Sequence, residues 1–204
     1  MNELKKLICE LETSNENEIT ILQRINKLFL TKLMIRINDT LVLYPTEVEA
    51  YYNNATKFSD MCVHKNELQK NHFGKLYFHR KGETKENKIL FWNYGGIDVC
   101  ISNNNSYYLS ILIRSAIINS DEKPISGPCR LLWKTVDLVC KEDNIQKLSE
   151  ENSSTLNQIE DKVVVLVETD NNDKRIINSI SNTERIGIHK GNYIKSPLRS
   201  FIDK

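Results

Sequence analysis

The stretch Thr46-Glu47-Val48-Glu49-Ala50-Tyr51-Tyr52 places two carboxylates one residue apart inside an otherwise apolar run. Leu41-Val42-Leu43-Tyr44 before it and Tyr51-Tyr52 at its end are rich in residues that favour strands. Side chains alternate along a strand, so Glu47, Glu49 and Tyr51 fall on one face. Carboxylates are rarely buried in a strand unless a partner or a chemical task holds them there. On the pattern alone, the simpler reading is a solvated edge strand with both acids in water.

Working outward, Leu33, Ile35 and Ile37 alternate ahead of a turn at Asn38-Asp39, which predicts a hairpin leading into this strand. Further upstream, Leu4, Leu7, Ile8 and Leu11 recur at helical spacing, and Asn17 or Asn15 is placed to cap a second helix through Leu22, Ile25 and Leu28. Downstream, residues 53 to 72 are polar and irregular, predicting a loop or short helix that carries His64. Lys75–His79 and Lys88–Trp92 predict two strands joined by a turn at Lys81-Gly82-Glu83-Thr84. Gly95-Gly96 marks another turn, Ile97–Ser102 another strand, and Tyr107–Ile118 a central strand of strongly apolar, β-branched character. Ser126-Gly127-Pro128 starts a helix with Leu131, Leu132, Thr135, Val136 and Val139 on one face. Residues 141 to 161 are polar and acidic and predict a poorly packed helix. Lys162–Glu168 is a further strand, turned by Asp170-Asn171-Asn172-Asp173. No repeat or linker divides the chain. The pattern therefore predicts one mixed α+β domain over 1–204, with a helical segment over 1–30 packed on it.

Length and composition bound the function. A chain of 204 residues is long enough for a sizeable core. The five cysteines are odd in number and lack C-x-x-C spacing, which favours reduced thiols over a disulfide framework or zinc site. The charged N-terminus MNELKKLICELETSNENE reads as neither signal peptide nor membrane anchor, predicting an intracellular, cytoplasmic protein. Net charge is only +1, but it is segregated. Residues 64–88 hold seven Lys/Arg against three Glu, residues 185–204 hold five against one Asp, and residues 137–173 hold three Lys against ten acids. Such segregation suits a phosphate-facing surface, although charge runs are usually just solvated faces.

Several short motifs occur in an order that resembles the 3-methyladenine (alkyladenine) DNA glycosylase family. TEVEAY is similar to that family's ETEAY strand, and it is followed by His64, by Gly74-Lys75-Leu76-Tyr77-Phe78-His79 and by Tyr94-Gly95-Gly96. Ile111-Leu112-Ile113-Arg114-Ser115-Ala116 resembles the LLRA strand, and Ser126-Gly127-Pro128-Cys129-Arg130-Leu131 the S-G-P-x-[KR]-L turn. Arg185-Ile186-Gly187-Ile188 and Pro197-Leu198-Arg199 resemble the terminal RIGI and KPLR segments. The matches span the chain from about residue 41 to residue 202.

The resemblance implies an α+β fold with a mostly antiparallel curved β-sheet core flanked by helices, and it implies roles residue by residue. Glu49 matches the general base that activates the water attacking the sugar carbon, with Glu47 supporting it, and Arg114 matches an arginine that contacts phosphate and helps hold the surroundings of that water. Tyr51, His64 and His79 match the pocket that holds the extruded base, and Tyr94 the residue that wedges into the duplex. Arg185, Lys195 and Arg199 match backbone contacts. The implied activity is that of a monofunctional glycosylase on damaged purines, because no motif lysine is placed to form a Schiff base. It needs no metal or cofactor, and its partner is double-stranded DNA, which the protein meets as a monomer away from any membrane. His72, His189 and the cysteines read as structural.

The chain departs from the family at several places. His79 stands where a second aromatic stacks on the base; a protonated imidazole would repel a cationic base, so either it stays neutral or the preference shifts to neutral lesions. Residues 81–87 are inserted before Tyr94, and Ser102 or Ile101 stands where the family has a discriminating Asn. Two other readings stay open: a non-catalytic nucleic-acid-binding relative, and a hydrolase of a free nucleoside or an RNA base.

Overall fold

The computed structural model describes residues 1–37, 41–63, 69–70, 73–79, 95–119, 121–139, 164–169 and 173–203, with backbone alone at 78, 79, 139, 164 and 165. The turns at 38–39 and 81–84, the strand over 88–92, the acidic segment 141–161 and most of the 170–173 turn lie outside them. Two helices open the chain, α1 (Asn2–Thr13) and α2 (Glu18–Thr31). The helical stripe of α1 is buried at all four expected positions, Leu4, Leu7, Ile8 and Leu11. Of the two candidate caps for α2, Asn17 is the one used: its side chain accepts a 2.9 Å hydrogen bond from the Ile19 amide. That bond satisfies one of the amides a helix start leaves without a partner.

The strands are β1 (Leu33–Ile37), β2 (Leu41–Asn54), β3 (Leu76–His79), β4 (Gly96–Cys100), β5 (Tyr107–Ile118), β6 (Ile125–Ser126), β7 (Val164–Glu168), β8 (Ile180–Thr183) and β9 (Arg199–Ile202), with α3 (Pro128–Val139) between β6 and β7. They form one curled sheet in the order β3-β4-β5-β2-β1-β7, and every described pairing is antiparallel. The hairpin of β1 and β2 is present in the register Ile37↔Leu41, and β5 runs over the residues expected of a central strand. β3 starts one residue after the expected Lys75, and β4 starts one residue early, at Gly96 of the expected turn, and ends two residues short of Ser102.

β2 is not an edge. It pairs with β5 along one side, and on the other with β1 at its start and β9 at Glu47–Glu49. The wet edge-strand reading therefore fails, because the strand is enclosed from both sides. Its two faces differ sharply. Val48, Ala50 and Tyr52 join Leu109, Ile111, Ile113, Ile97 and Val99 and the apolar faces of α1 and α2 in one buried cluster. Each such Leu or Ile contributes about 1.5–3 kcal/mol relative to exposure, so this face sets the register. The C-terminal strand is drawn onto β2 partly by α2, whose buried Asn26 donates to the Leu198 carbonyl at 3.0 Å and to Ser200 Oγ at 3.1 Å. The opposite face of β2 is mixed: Tyr44 joins Met34 and Ile117 in one small buried cluster, Tyr51 joins Val63 and Leu112 in another, and the acids between them hold the site.

Candidate functional site

Glu49 points to this mixed face and is 0% exposed. Its Oε1 accepts from the Ile186 amide at 2.8 Å and lies 3.2 Å from Arg114 Nη1, while Oε2 accepts from the Tyr51 hydroxyl at 3.0 Å. A carboxylate taken out of water costs several kcal/mol unless charge and hydrogen bonds are returned to it. Here one guanidinium, one amide and one phenol return them.

A paired irregularity in the sheet explains how a single arginine serves both acids. The β2–β5 register runs Pro45↔Ala116, Glu47↔Ser115, then Val48↔Ile113. Thr46 is thus an extra residue on β2, and Arg114 an extra residue on β5, set opposite the Glu47–Val48 step. Bulges re-aim side chains in this way beside functional sites. Arg114 Nε donates to Glu47 Oε1 at 2.9 Å, while its Nη1 faces Glu49. Arg199 Nε donates to the same Glu47 oxygen at 2.7 Å. The Ser126-Gly127-Pro128 turn braces the bulge. Gly127 has φ +98°, a conformation that favours glycine, and its amide donates to the Arg114 carbonyl at 2.9 Å. From there Pro128 starts α3, with Leu131, Leu132 and Val136 buried.

Tyr51, the next residue on the Glu49 face, is also buried. Burial first, and the Glu49 charge second, hold its phenol well above the ordinary tyrosine range, against a smaller opposing pull from Arg185. It therefore keeps its proton and donates a hydrogen bond to Glu49. The Arg185 guanidinium lies 4.7 Å from the centre of its ring, a cation–π contact that covers one ring face. Val63, Leu112 and, partly buried, Cys62, Tyr108 and Ile188 pack around it.

Arg185 requires a correction. Expected as a DNA backbone contact, it is 4% exposed and turned inward. Its Nη1 donates to Asp60 Oδ2 at 2.6 Å and to the Ala50 carbonyl at 3.3 Å, and its Nη2 to Asp60 Oδ1 at 3.2 Å. Burial pulls its pKa down, and the buried Asp60 partner more than offsets that. The physical reason is the fork geometry: a bidentate carboxylate satisfies the guanidinium better than a surface position would. Asp60 in turn accepts from the Cys62 amide at 3.0 Å, and its carbonyl accepts from Asn53 Nδ2 at 2.8 Å. The pair joins the loop after β2 to the segment that supplies the Ile186 amide.

The remaining expected residues divide. Arg199 is partly buried against Glu47, and Lys195 is exposed. His64 and Tyr94 lie outside the described residues, as does the 81–87 insertion. His79 is placed by its backbone alone, paired with Gly96 at the end of β3. Ile101 and Ser102, at the position of the family's discriminating Asn, are both buried, and Ser102 Oγ closes a local turn through the Asn104 and Tyr107 carbonyls at 2.8 and 3.2 Å.

Three buried polar groups on the same face were not anticipated from the sequence: Asp98, Ser110 and Gln69. Gln69 Nε2 donates to Asp98 Oδ2 at 3.3 Å and to Ser110 Oγ at 3.0 Å, and Ser110 Oγ donates to Asp98 Oδ2 at 3.4 Å. A lone Asp in the apolar run Gly96–Ile101 was the available signal. On the far side of Glu47 opens a cavity of about 830 Å³, lined among others by Thr46, Ser115, Arg175, Arg199 and Phe201. Among the described residues no three metal-ligating side chains come together, and no helix is long and apolar enough to cross a membrane.

Chemically, the arrangement offers an enclosed carboxylate held in a fixed pose by donors, beside an aromatic ring. No protein-family model matches the chain, and no curated protein matches it.

Proposed function

We propose that this protein hydrolyses the N-glycosidic bond of a damaged purine in duplex DNA, with Glu49 as the general base. The observation that carries the reading is the fully enclosed Glu49 held by Arg114, the Ile186 amide and Tyr51. Replacing a buried ion pair by apolar side chains is often neutral or stabilising, so fold stability alone is a poor reason to keep it. A chemical task is a better one. The motif resemblance supplies that task and gives Tyr51 the role of stacking against the extruded base.

In the proposed step, water attacks the sugar carbon while Glu49 takes its proton. The carbon–nitrogen bond breaks, its electron pair leaves with the base, and an abasic sugar bearing the new hydroxyl remains. Arg114 and the Ile186 amide fix the carboxylate, and Arg114 balances its charge. Tyr51, kept protonated, holds the second oxygen. Entry of a base needs room beside Tyr51 and Leu112, where Val63, Cys62, Tyr108 and Ile188 pack. Lys195 and the basic segments around it supply backbone attraction. Arg185 acts instead on the pocket side, behind Tyr51.

A second reading rests on the same completeness. With three donors already on Glu49, the carboxylate also suits a purely structural node in a duplex-binding relative that excises nothing. A duplex carrying one 3-methyladenine, hypoxanthine or ethenoadenine separates the two: the proposed enzyme releases the base and leaves an abasic site, and Glu49→Gln abolishes release while keeping duplex binding. Duplex binding with intact lesions favours the second reading.

A further inference from the structure

Met61 is 67% exposed and Ile186 49%, at the rim of a site whose acid is fully enclosed. Single exposed aliphatic residues are ordinary on a protein surface, but these two share one rigid support. They follow Asp60 and Arg185, the partners of the buried bidentate pair, which draws the loop after β2 against the 185–195 segment. Three more contacts clasp the same two stretches. Cys62 Sγ donates to the Lys190 carbonyl at 3.0 Å, and the Phe58 and Tyr193 rings stack with centroids 3.7 Å apart. Gly191, at φ +111°, lies behind the methionine, where an added Cβ would stand 3.6 Å from Met61 Cβ. The backbone beneath both apolar side chains is thus fixed, while the side chains themselves stay in solvent. Ile186 also supplies the amide that Glu49 Oε1 accepts at 2.8 Å, so a sugar carbon brought to that oxygen passes beside it. Lys190 and Lys195, on the same segment, are exposed as well.

We infer that Met61 and Ile186 form an apolar wedge that enters the base stack beside the nucleotide held at Glu49, while Lys190 and Lys195 meet the flanking phosphates. The inference rests on the glycosidic reading above. It adds a second wedge, on the Glu49 side of the site, to the one the resemblance gives to Tyr94. Isoleucine and methionine are among the side chains that part a base step and kink a duplex. Unstacking costs free energy, which removal of two solvent-exposed apolar side chains from water offsets. The clasp has already fixed the backbone under the wedge, so insertion orders side chains alone. Neither side chain carries a hydrogen-bond donor, so the wedge opens the stack without reading base identity. Met61 and Ile186 therefore determine the preference for a lesion in duplex over the same lesion in a single strand, which offers no paired stack to open.

The test places 2-aminopurine, which brightens when it loses its stacking partners, on either side of one 3-methyladenine, in a duplex and in the matching single strand. Wild type and Met61→Ala/Ile186→Ala are mixed with each at saturating protein, and both fluorescence and base release are followed. Wild type is expected to brighten the duplex before release. The double variant is expected to lose most of that rise and to lower the duplex-to-single-strand excision ratio at least about tenfold. Met61→Ala alone, at the more exposed position, is expected to move both readouts in the same direction, and it decides the question should the double variant not fold. No rise with wild type overturns the inference. A full rise in the variants overturns it too, as does equal slowing on duplex and single strand, which would mark damage to the support of Glu49. A wild type that brightens the duplex but releases no base overturns the glycosidic reading, and loss of the rise in the variants then leaves the wedge standing.

Discussion

Arg114 Nη1 lies 3.2 Å from Glu49 Oε1, and the residue that makes this contact is the extra residue of a bulge in β5. Without the bulge, ordinary antiparallel pairing would set another side chain opposite the Glu47–Val48 step. The sheet irregularity and the charge balance of the site are therefore one feature.

Removing that guanidinium leaves Glu49 enclosed and uncompensated. Arg114→Met should destabilise the protein by about 3–5 kcal/mol, while Arg114→Lys, which keeps charge but loses the fork, should cost less. Urea denaturation of the three proteins checks the order. In the folded fraction, excision by Arg114→Met should fall by about 100-fold or more. An Arg114→Met protein as stable as wild type would contradict the enclosed pairing.

The Asp60–Arg185 pair makes a different prediction, because both partners are buried and neither faces solvent. Asp60→Ala and Arg185→Ala should each cost about 3–5 kcal/mol, and the double variant clearly less than the sum. Strict additivity would show that the pair is not coupled. The salt dependence of duplex binding separates Arg185 from the exposed Lys195. Lys195→Ala should lower the log–log salt slope by about one, and Arg185→Ala should leave it unchanged.

At high pH the enclosed tyrosines become a liability. Burial, the dominant cause, pushes Tyr52 up to about 12, from an ordinary value near 10.0. Between those two values the unfolded chain has lost a proton that the folded protein keeps, so unfolding free energy falls as pH rises. This contribution is complete below about pH 10 and is lost on the way to pH 12. Tyr51 is displaced in the same direction, burial again foremost. Urea midpoints should hold from pH 8 to pH 9.5 and then drop, with a shallower drop in Tyr52→Phe. Identical alkaline profiles for the two proteins would contradict the assignment to Tyr52.

Local pattern made much of this fold legible. The α1 stripe, the Asn17 cap, the β1–β2 hairpin, the β5 strand and the start of α3 each depend on neighbours a few residues apart, and each sits where periodicity and capping chemistry place it. The site was legible in part: alternation puts Glu47, Glu49 and Tyr51 on one face, but could not say whether that face was wet. Enclosure comes from β9, which returns from the far end of the chain to pair with β2, and no local pattern announces that crossing. Asp60 was unreadable for the same reason, since its partner Arg185 is 125 residues away. Arg185 was misplaced because a basic terminal segment looks alike whether its arginines face phosphate or a buried acid. The bulge at Arg114 is invisible to a reading that assumes unbroken register.

The most direct test of the central claim is single-turnover excision from a duplex with one 3-methyladenine, comparing wild type with Glu49→Gln at equal duplex occupancy. Wild type should leave an abasic site, and the variant should do so at least about 100-fold more slowly while binding the duplex equally well. A Glu49→Gln protein that releases the base as fast as wild type would contradict the assignment of Glu49 as the general base.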